Sequence, residues 1–374
     1  MKKIIFGITG LTLGGAERVL VDLANKLVNK YDITIFTLYS GGELEKELDP
    51  KVHLKSLYDF RYDSLGKIKK KVIPLKVLFG SKKIFKKYVA NEEYTAQIAF
   101  LEGPITRIFK YKSKAKKIAW VHNDISKVFG NGIKSKIKRM FDRNVYEKYD
   151  ELIFVSISNL DKFNKVYDDM MLPKERVINN YIDSKRIIKL SEEELTKEEE
   201  SLFNKKDIVF LQVSRLVKQK AIDRLIEAHS KLIKEGYNHK IYVVGDGPEK
   251  ESLKKQIEEK NVKDTFILLG AKTNPYKLVK KADYFCLFSA FEGYPMVLEE
   301  AKILNKYILT TNTSSREVLV NYSKNSYITE NSEDGIYKGI KRAIINKEKN
   351  LKNEINYQYD NDKIINKVIK ALEE

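Results

Sequence analysis

Short apolar runs alternate with amphipathic helical periods along this chain, and the alternation starts twice. Ile4–Ile8 reads as a strand, and Glu17–Lys30 then places Val19, Leu20, Leu23 and Leu27 on one helical face. Ile33–Leu38, Gln97–Leu101, Ile118–Val121 and Leu152–Val155 read as further strands. Ser191–Lys206 is charged and lacks an apolar period, so it reads as a boundary. The pattern restarts with strand Ile208–Val213, helix Ala221–Gly236, strand Lys240–Val244, helix Pro248–Lys260 and strand Phe266–Leu269. Helix Pro275–Lys281, strand Tyr284–Leu287, helix Pro295–Leu304 and strand Tyr307–Thr310 follow. Strands separated by helices pair in parallel, because a parallel neighbour needs a crossover. The expected class is α/β, with two Rossmann-like parallel-sheet domains at 1–183 and 184–359. A last helix, 360–374, is expected to return to the first domain.

A chain of 374 residues with 43% hydrophobic content can build two such cores. Its single cysteine, Cys286, lies in an apolar run, which excludes a disulfide framework and implies a reducing compartment. Met1-Lys2-Lys3 followed by Ile4-Ile5-Phe6 imitates a signal peptide, but no small-residue cleavage site follows. No apolar run approaches the roughly 18 residues that span a bilayer. A cytoplasmic location is therefore expected.

The formal net charge of +18 is clustered. Gly66–Ala90 holds nine lysines and no acid, interleaved with Val72, Ile73, Leu75, Val77, Leu78, Phe79, Ile84 and Phe85. Lys127–Arg143 adds Lys134, Lys136, Lys138, Arg139 and Arg143 around Val128, Phe129, Ile133 and Met140. Mixed basic and apolar residues at helical spacing suit an anionic membrane surface, with Val77, Leu78, Phe79 and Phe85 inserting. A plain solvated face is the alternative. Nucleic acid is not an expected partner, since zinc spacing and an RNA-binding aromatic signature are both missing.

Open parallel sheets bind ligands at the carboxyl ends of their strands, and the chemistry-bearing motifs all fall there. Gly14-Gly15-Ala16-Glu17 opens a helix and lets the backbone approach a phosphate. Alone, it is equally a tight turn, and it is not the G-x-G-x-x-G of a dinucleotide site. His122 ends the run Trp120-Val121. Arg215 and Lys220 share one loop and can neutralise a departing diphosphate. In Gly245-Asp246-Gly247-Pro248-Glu249 the glycines make room for a flat group such as a nucleobase. Phe291-Glu292-Gly293-Tyr294-Pro295-Met296-Val297-Leu298-Glu299-Glu300-Ala301 sets two carboxylates seven residues apart, with Pro295 in the first turn of a helix. Backbone N–H groups from Gly293 to Val297 would face an anion. No His/Cys cluster has metal-ligand spacing. Asp360-Asn361-Asp362 reads as solvated or as a helix cap.

In this order, these motifs resemble the retaining glycosyltransferases of the GT-B fold, glycosyltransferase family 4. The likeness covers nearly the whole chain. It implies two domains facing across a cleft, the first binding acceptor and the second a nucleotide-sugar donor. It implies that Gly14 and Gly15 meet the diphosphate and His122 the donor sugar. Arg215 and Lys220 would stabilise the leaving phosphate, Glu292 would hold sugar hydroxyls, and Glu300 the ribose, with Glu299 a second candidate. The remaining donor contacts would come from Gly245, Gly247, Gly293, Tyr294, Pro295, Met296 and Val297. Two positions depart from the family pattern: Ser214 stands where Gly is common before the Arg, and Ala221 where Gly is common after the Lys.

The resemblance implies no metal and no cofactor, the nucleotide sugar being a substrate. It implies transfer of a UDP-linked hexose or N-acetylhexosamine to a lipid-linked or other glycan acceptor, in capsule, exopolysaccharide or lipopolysaccharide synthesis. The enzyme would sit peripherally on the inner face of the cytoplasmic membrane. Rival functions are a nucleotide-sugar 2-epimerase of the same fold, a non-catalytic partner subunit of a glycosyltransferase pair, and a nucleic-acid-binding protein.

Overall fold

The computed structural model describes residues 1–128, 133–167, 173–203, 206–352 and 355–374, with backbone alone for Lys67 and for 127–138. It divides into two compact units, Met1–Ile182 with Asp360–Glu374, and Asp183–Tyr359. The charged stretch read as a boundary lies beyond this division. It follows the helix Ser184–Ser191 and carries the helix Lys197–Ser201, which packs in the second unit through an ion pair of Lys277 with Glu199 at 2.7 Å.

The first unit holds a seven-stranded parallel sheet: β1 Lys2–Ile8, β2 Tyr31–Tyr39, β3 His53–Tyr58, β4 Ala96–Ala99, β5 Lys116–Val121, β6 Glu151–Phe154 and β7 Lys174–Val177. Its order is β3-β2-β1-β4-β5-β6-β7. The second holds six parallel strands: β8 Val209–Val213, β9 Lys240–Val244, β10 Phe266–Gly270, β11 Tyr284–Leu287, β12 Tyr307–Thr311 and β13 Ser326–Thr329, in the order β10-β9-β8-β11-β12-β13. In each sheet the order reverses beside the first strand, at β1/β4 and at β8/β11. Loops splay apart at such a switch point and leave a crevice at the strands' carboxyl ends.

The C-terminal helix Asn361–Glu373 docks on the first unit. Asp360 caps it by accepting from the Lys363 N–H at 2.9 Å. Arg176 on β7 bonds both the fully buried Glu151 of β6 and Glu374, at 2.6 and 2.7 Å.

The helix α1, Gly15–Leu27, buries the Val19, Leu20, Leu23 and Leu27 face. The lysine-rich helix α2, Lys67–Ile84, is apolar on two opposite sides. One side, with Ile73, Val77 and Ser81, packs into the unit, and Phe85 follows it into the core. The other exposes Ile68 (79%), Val72 (40%), Leu75 (54%) and Phe79 (85%). At 100° per residue these four share a stripe opposite the buried one. Val77 and Phe85 are therefore core residues and not inserting ones. Of the second basic segment, residues 129–132 and the side chains of 127–138 lie outside the described residues. Met140 is exposed there.

Candidate functional site

In the second unit, β8 feeds the loop Ser214–Lys220, and β11 feeds the loop Phe288–Pro295. Both flank the β8/β11 switch point, and side chains from the two loops meet there. Lys220 Nζ lies 2.6 Å from Glu292 Oε1, both largely buried. The β11 loop is pinned along its length. Gln219 Nε2 donates to Phe291 O at 2.9 Å, the Ala290 N–H to Gln219 O at 2.8 Å, Asn331 Nδ2 to Ala290 O at 2.7 Å and Ser314 Oγ to Glu292 O at 2.7 Å. Arg215 is exposed on the β8 loop.

The loop after β9 closes against the loop after β8. Ser214 N–H donates to Val244 O, Leu216 N–H to Asp246 O and Glu249 N–H to Leu216 O, at 2.9–3.1 Å. A Cβ on Gly245 would come within 1.9 Å of Ser214 O, and one on Gly247 within 2.3 Å of Leu216 O. These two glycines make room for the neighbouring backbone, a different need from the flat ligand that the sequence led us to expect.

Ala221, where the family commonly has glycine, is left-handed at φ 46°, ψ 41°. A residue with a Cβ pays for that conformation with roughly 1 kcal/mol or more. The turn is kept by the Ala221 N–H to Lys218 O bond at 3.1 Å, and it ends the loop that carries Lys220.

The helix after β11 runs Met296–Ile303, with Pro295 as its N-cap and not in its first turn. Leu298 N–H bonds Pro295 O, so the N–H groups of Met296 and Val297 precede the helix's own ladder. Glu300 is half-buried and lines a small pocket with Val213, Tyr276 and Val297. Glu299 is not available as a ribose contact. Its carboxylate is 5% exposed and accepts from Lys302 Nζ at 3.1 Å, Tyr294 Oη at 3.0 Å and Tyr357 Oη at 3.1 Å. Lys302 also donates to Val318 O at 2.6 Å. Tyr294 thus spends its side chain on this cage, where burial, with Glu299 beside it, pushes its hydroxyl well above its ordinary pKa.

In the first unit, Gly14 is the N-cap of α1, and its N–H donates to Thr12 O at 2.9 Å. β4 runs into Phe100-Leu101-Glu102-Gly103-Pro104, and β5 into His122-Asn123. His122 packs on Phe100, with ring centroids 4.7 Å apart, and near-parallel to Trp120 at 6.3 Å. Its exposure is intermediate, yet its Nε2 is buried with no hydrogen-bond partner among the described residues. Burial pushes its pKa down to about 3, so the ring is neutral at ordinary pH. Glu102 accepts the His122 and Asn123 N–H groups on Oε1, at 2.6 and 2.7 Å, and Asn123 Nδ2 on Oε2 at 2.9 Å. Sequence reasoning missed Glu102. The available signal was its Glu-Gly…Pro context after a strand, the same as that of Glu292.

Among the described residues no three His, Cys, Asp or Glu side chains group as metal ligands. Among them, too, no helix is long and apolar enough to cross a membrane.

Two parallel sheets, each with charged and glycine-rich loops at its switch point, give the chain the GT-B fold. Residues 193–360 match the family described as glycosyl transferases group 1. An uncharacterized glycosyltransferase of Methanocaldococcus jannaschii is 30% identical over 217 residues, 58% of this chain, which spans about half (53%) of that relative's length. The N-acetylgalactosamine-N,N'-diacetylbacillosaminyl-diphospho-undecaprenol 4-alpha-N-acetylgalactosaminyltransferase of Campylobacter jejuni is 25% identical over 92% of this chain and 90% of its own. Anabaena HepE, solved with UDP and glucose, shares the fold with a TM-score of 0.74 at 17% identity, over 100% of this chain and 99% of that one. The chain is thus similar to the group 1 glycosyltransferases, with the family match lying in residues 193–360.

Proposed function

We propose that the protein transfers a hexose or N-acetylhexosamine from a UDP-sugar to a lipid-linked glycan, with retention of anomeric configuration, in cell-surface polysaccharide synthesis. The observation that carries this reading is the buried Lys220–Glu292 pair at the β8/β11 switch point. A cation for the leaving phosphate and a carboxylate for sugar hydroxyls stand side by side, as cleavage of a sugar–phosphate bond requires. The acceptor oxygen bonds C1 while the C1–O bond to the diphosphate breaks. The electron pair leaves on the phosphate oxygen, which takes the acceptor's proton. Arg215 and Lys220 offset the charge that builds there, and Glu300 takes the ribose. His122, Gly14 and Gly15 contribute the first unit's donor contacts. The reading calls for no metal. The names of the Campylobacter relative, with its undecaprenol diphosphate acceptor, and of UDP-bound HepE support the substrate classes.

The exposed stripe of α2 supports attachment to an anionic membrane. Ile68, Val72, Leu75 and Phe79 form a shallow apolar ridge. Lys69, Lys71, Lys76, Lys82 and Lys83 are exposed beside it. Each lysine near such a surface contributes about 1 kcal/mol.

The test is incubation with UDP-glucose, UDP-galactose, UDP-GlcNAc and UDP-GalNAc, with and without a prenyl-diphosphate-linked saccharide, in EDTA. Formation of an α-linked product from an α-linked donor supports the reading. Donor turnover without acceptor favours the epimerase, and binding of no nucleotide sugar favours the partner subunit. Anionic-vesicle co-sedimentation should be lost when Lys82, Lys83, Lys86 and Lys87 become Glu. Equal binding of both proteins removes α2 as the docking surface.

A further inference from the structure

We infer that Glu102 is the positioning residue for His122, an inference that rests on the donor-contact reading of His122. The imidazole is fixed from two sides by the end of β4. Phe100 supplies the packing surface for the ring. Two residues on, the Glu102 carboxylate takes both N–H groups of the turn that carries it, and closes on Asn123 with its second oxygen. Hydrogen bonds to a charged acceptor are about twice as strong as neutral ones. Three of them on one two-residue turn leave the His122 backbone little freedom.

Glu102 is itself held by its own turn. Gly103 has φ 88°, a conformation that glycine adopts freely, and Pro104 starts the helix Pro104–Phe109 immediately after it. Arg107 N–H and Thr106 Oγ1 both close on Gly103 O, at 3.3 and 2.9 Å. Phe100 is tied to β1 through its N–H to Gly7 O at 2.8 Å. Placement of His122 is thereby referred to the β1/β4 switch point itself. Burial raises the Glu102 carboxyl's pKa, while the three donors oppose that rise. Its anion is committed to this turn and not offered to a ligand.

A displacement of about 1 Å in a group that contacts substrate costs on the order of 100-fold in rate. Glu102→Ala is therefore expected to lower kcat about 10- to 100-fold, with a smaller change in the KM for the UDP-sugar. Glu102→Gln keeps one oxygen for the two backbone donors and should recover most of the loss. In a His122→Ala background, Glu102→Ala should cost nothing further.

The decisive readout is a 15N-histidine NMR titration of the full-length protein. Removing a nearby carboxylate lowers a histidine's pKa by electrostatics alone. Releasing the ring from its buried pose raises it towards the ordinary value of about 6.5. We expect His122 to titrate higher in Glu102→Ala than in wild type. If that variant does not fold, Gly103→Ala is used instead, since its Cβ meets no atom within 4 Å and only the turn is strained. It should shift His122 in the same direction by less. An unmoved His122 titration in the folded variant, or kcat losses that multiply with His122→Ala, would overturn the inference. Wild-type turnover by His122→Ala would instead defeat the donor-contact reading, while the titration would still decide whether Glu102 holds the ring.

Discussion

At the first switch point a carboxylate is gripped by backbone amides, and at the second a carboxylate is gripped by a lysine. Glu102-Gly103-Pro104 follows β4, and Glu292-Gly293-Tyr294-Pro295 follows β11, the strands across the reversal from β1 and β8. The partners differ. Backbone N–H groups cannot leave, so Glu102 serves the shape of the β5 turn. A lysine Nζ on a flexible stem can exchange a carboxylate for a phosphate, so the Lys220–Glu292 pair is suited to act on a ligand. A third carboxylate, Glu299, shows the other extreme, with Lys302 and two tyrosine hydroxyls enclosing it.

If that contrast holds, damage to each carboxylate should appear in a different measurement. The largest effect is expected at Glu299→Leu. It leaves Lys302 buried without its counter-ion, which costs about 3–5 kcal/mol of stability. Urea unfolding should show the loss, while donor KM in the folded protein stays near wild type. A large KM change with unchanged stability would return Glu299 to the site.

Next comes Arg215→Ala, expected to lower kcat by about 10²- to 10³-fold, or about 2.7–4 kcal/mol of transition-state stabilisation, with little effect on urea stability because the side chain is exposed. An effect on KM alone would count against its role with the leaving phosphate.

A smaller effect is expected from acid, and it belongs to the second unit's core. His229 Nδ1 and His239 Nε2 share a hydrogen bond at 2.8 Å, with Thr265 and Tyr237 O at the outer ends. Burial holds them neutral, with pKa values pushed down to about 2 and about 4. The unfolded chain takes up protons near pH 6.5 and the folded one does not. The stability they contribute is complete above about pH 6.5 and is lost as pH falls from there, towards 4 for His239 and towards 2 for His229. Between pH 6.5 and 5.5 the loss is roughly 1 kcal/mol for each histidine. Urea midpoints at the two values check this, and His229→Gln should flatten the dependence.

The smallest effect is expected at Ala221→Gly. Relief of the left-handed strain is offset in part by glycine's larger entropy loss, for a net gain of about 0.5 kcal/mol. A melting curve should show it, with turnover within about twofold.

Much of this was legible in the sequence, and the misses have physical causes. Strands of the sheet interiors, such as Ile4–Ile8 and Tyr284–Leu287, are continuous apolar runs because both faces are covered. The three strands that were missed, β3, β7 and β13, all lie at sheet edges. There Lys174-Glu175-Arg176-Val177 has no apolar run to find. Lys220 and Glu292 were recognisable as site candidates from loop position, but their meeting follows from the β8/β11 reversal, which a linear pattern does not contain. Glu299 and Glu300 are adjacent in sequence and differ only in which way the helix turns them. Val77 and Phe85 looked like Phe79 because α2 is apolar on both sides, so composition could not tell the core stripe from the exposed one.

The central claim is that Lys220 and Glu292 act as one unit on the donor. Its most direct test is a double-mutant cycle on single-turnover sugar transfer, with Lys220→Ala, Glu292→Gln and the pair. We expect each single variant to lose about 10²-fold or more, and the double variant to be scarcely slower than the worse single one. Wild-type rates in either single variant, or losses that multiply in the double, would contradict it.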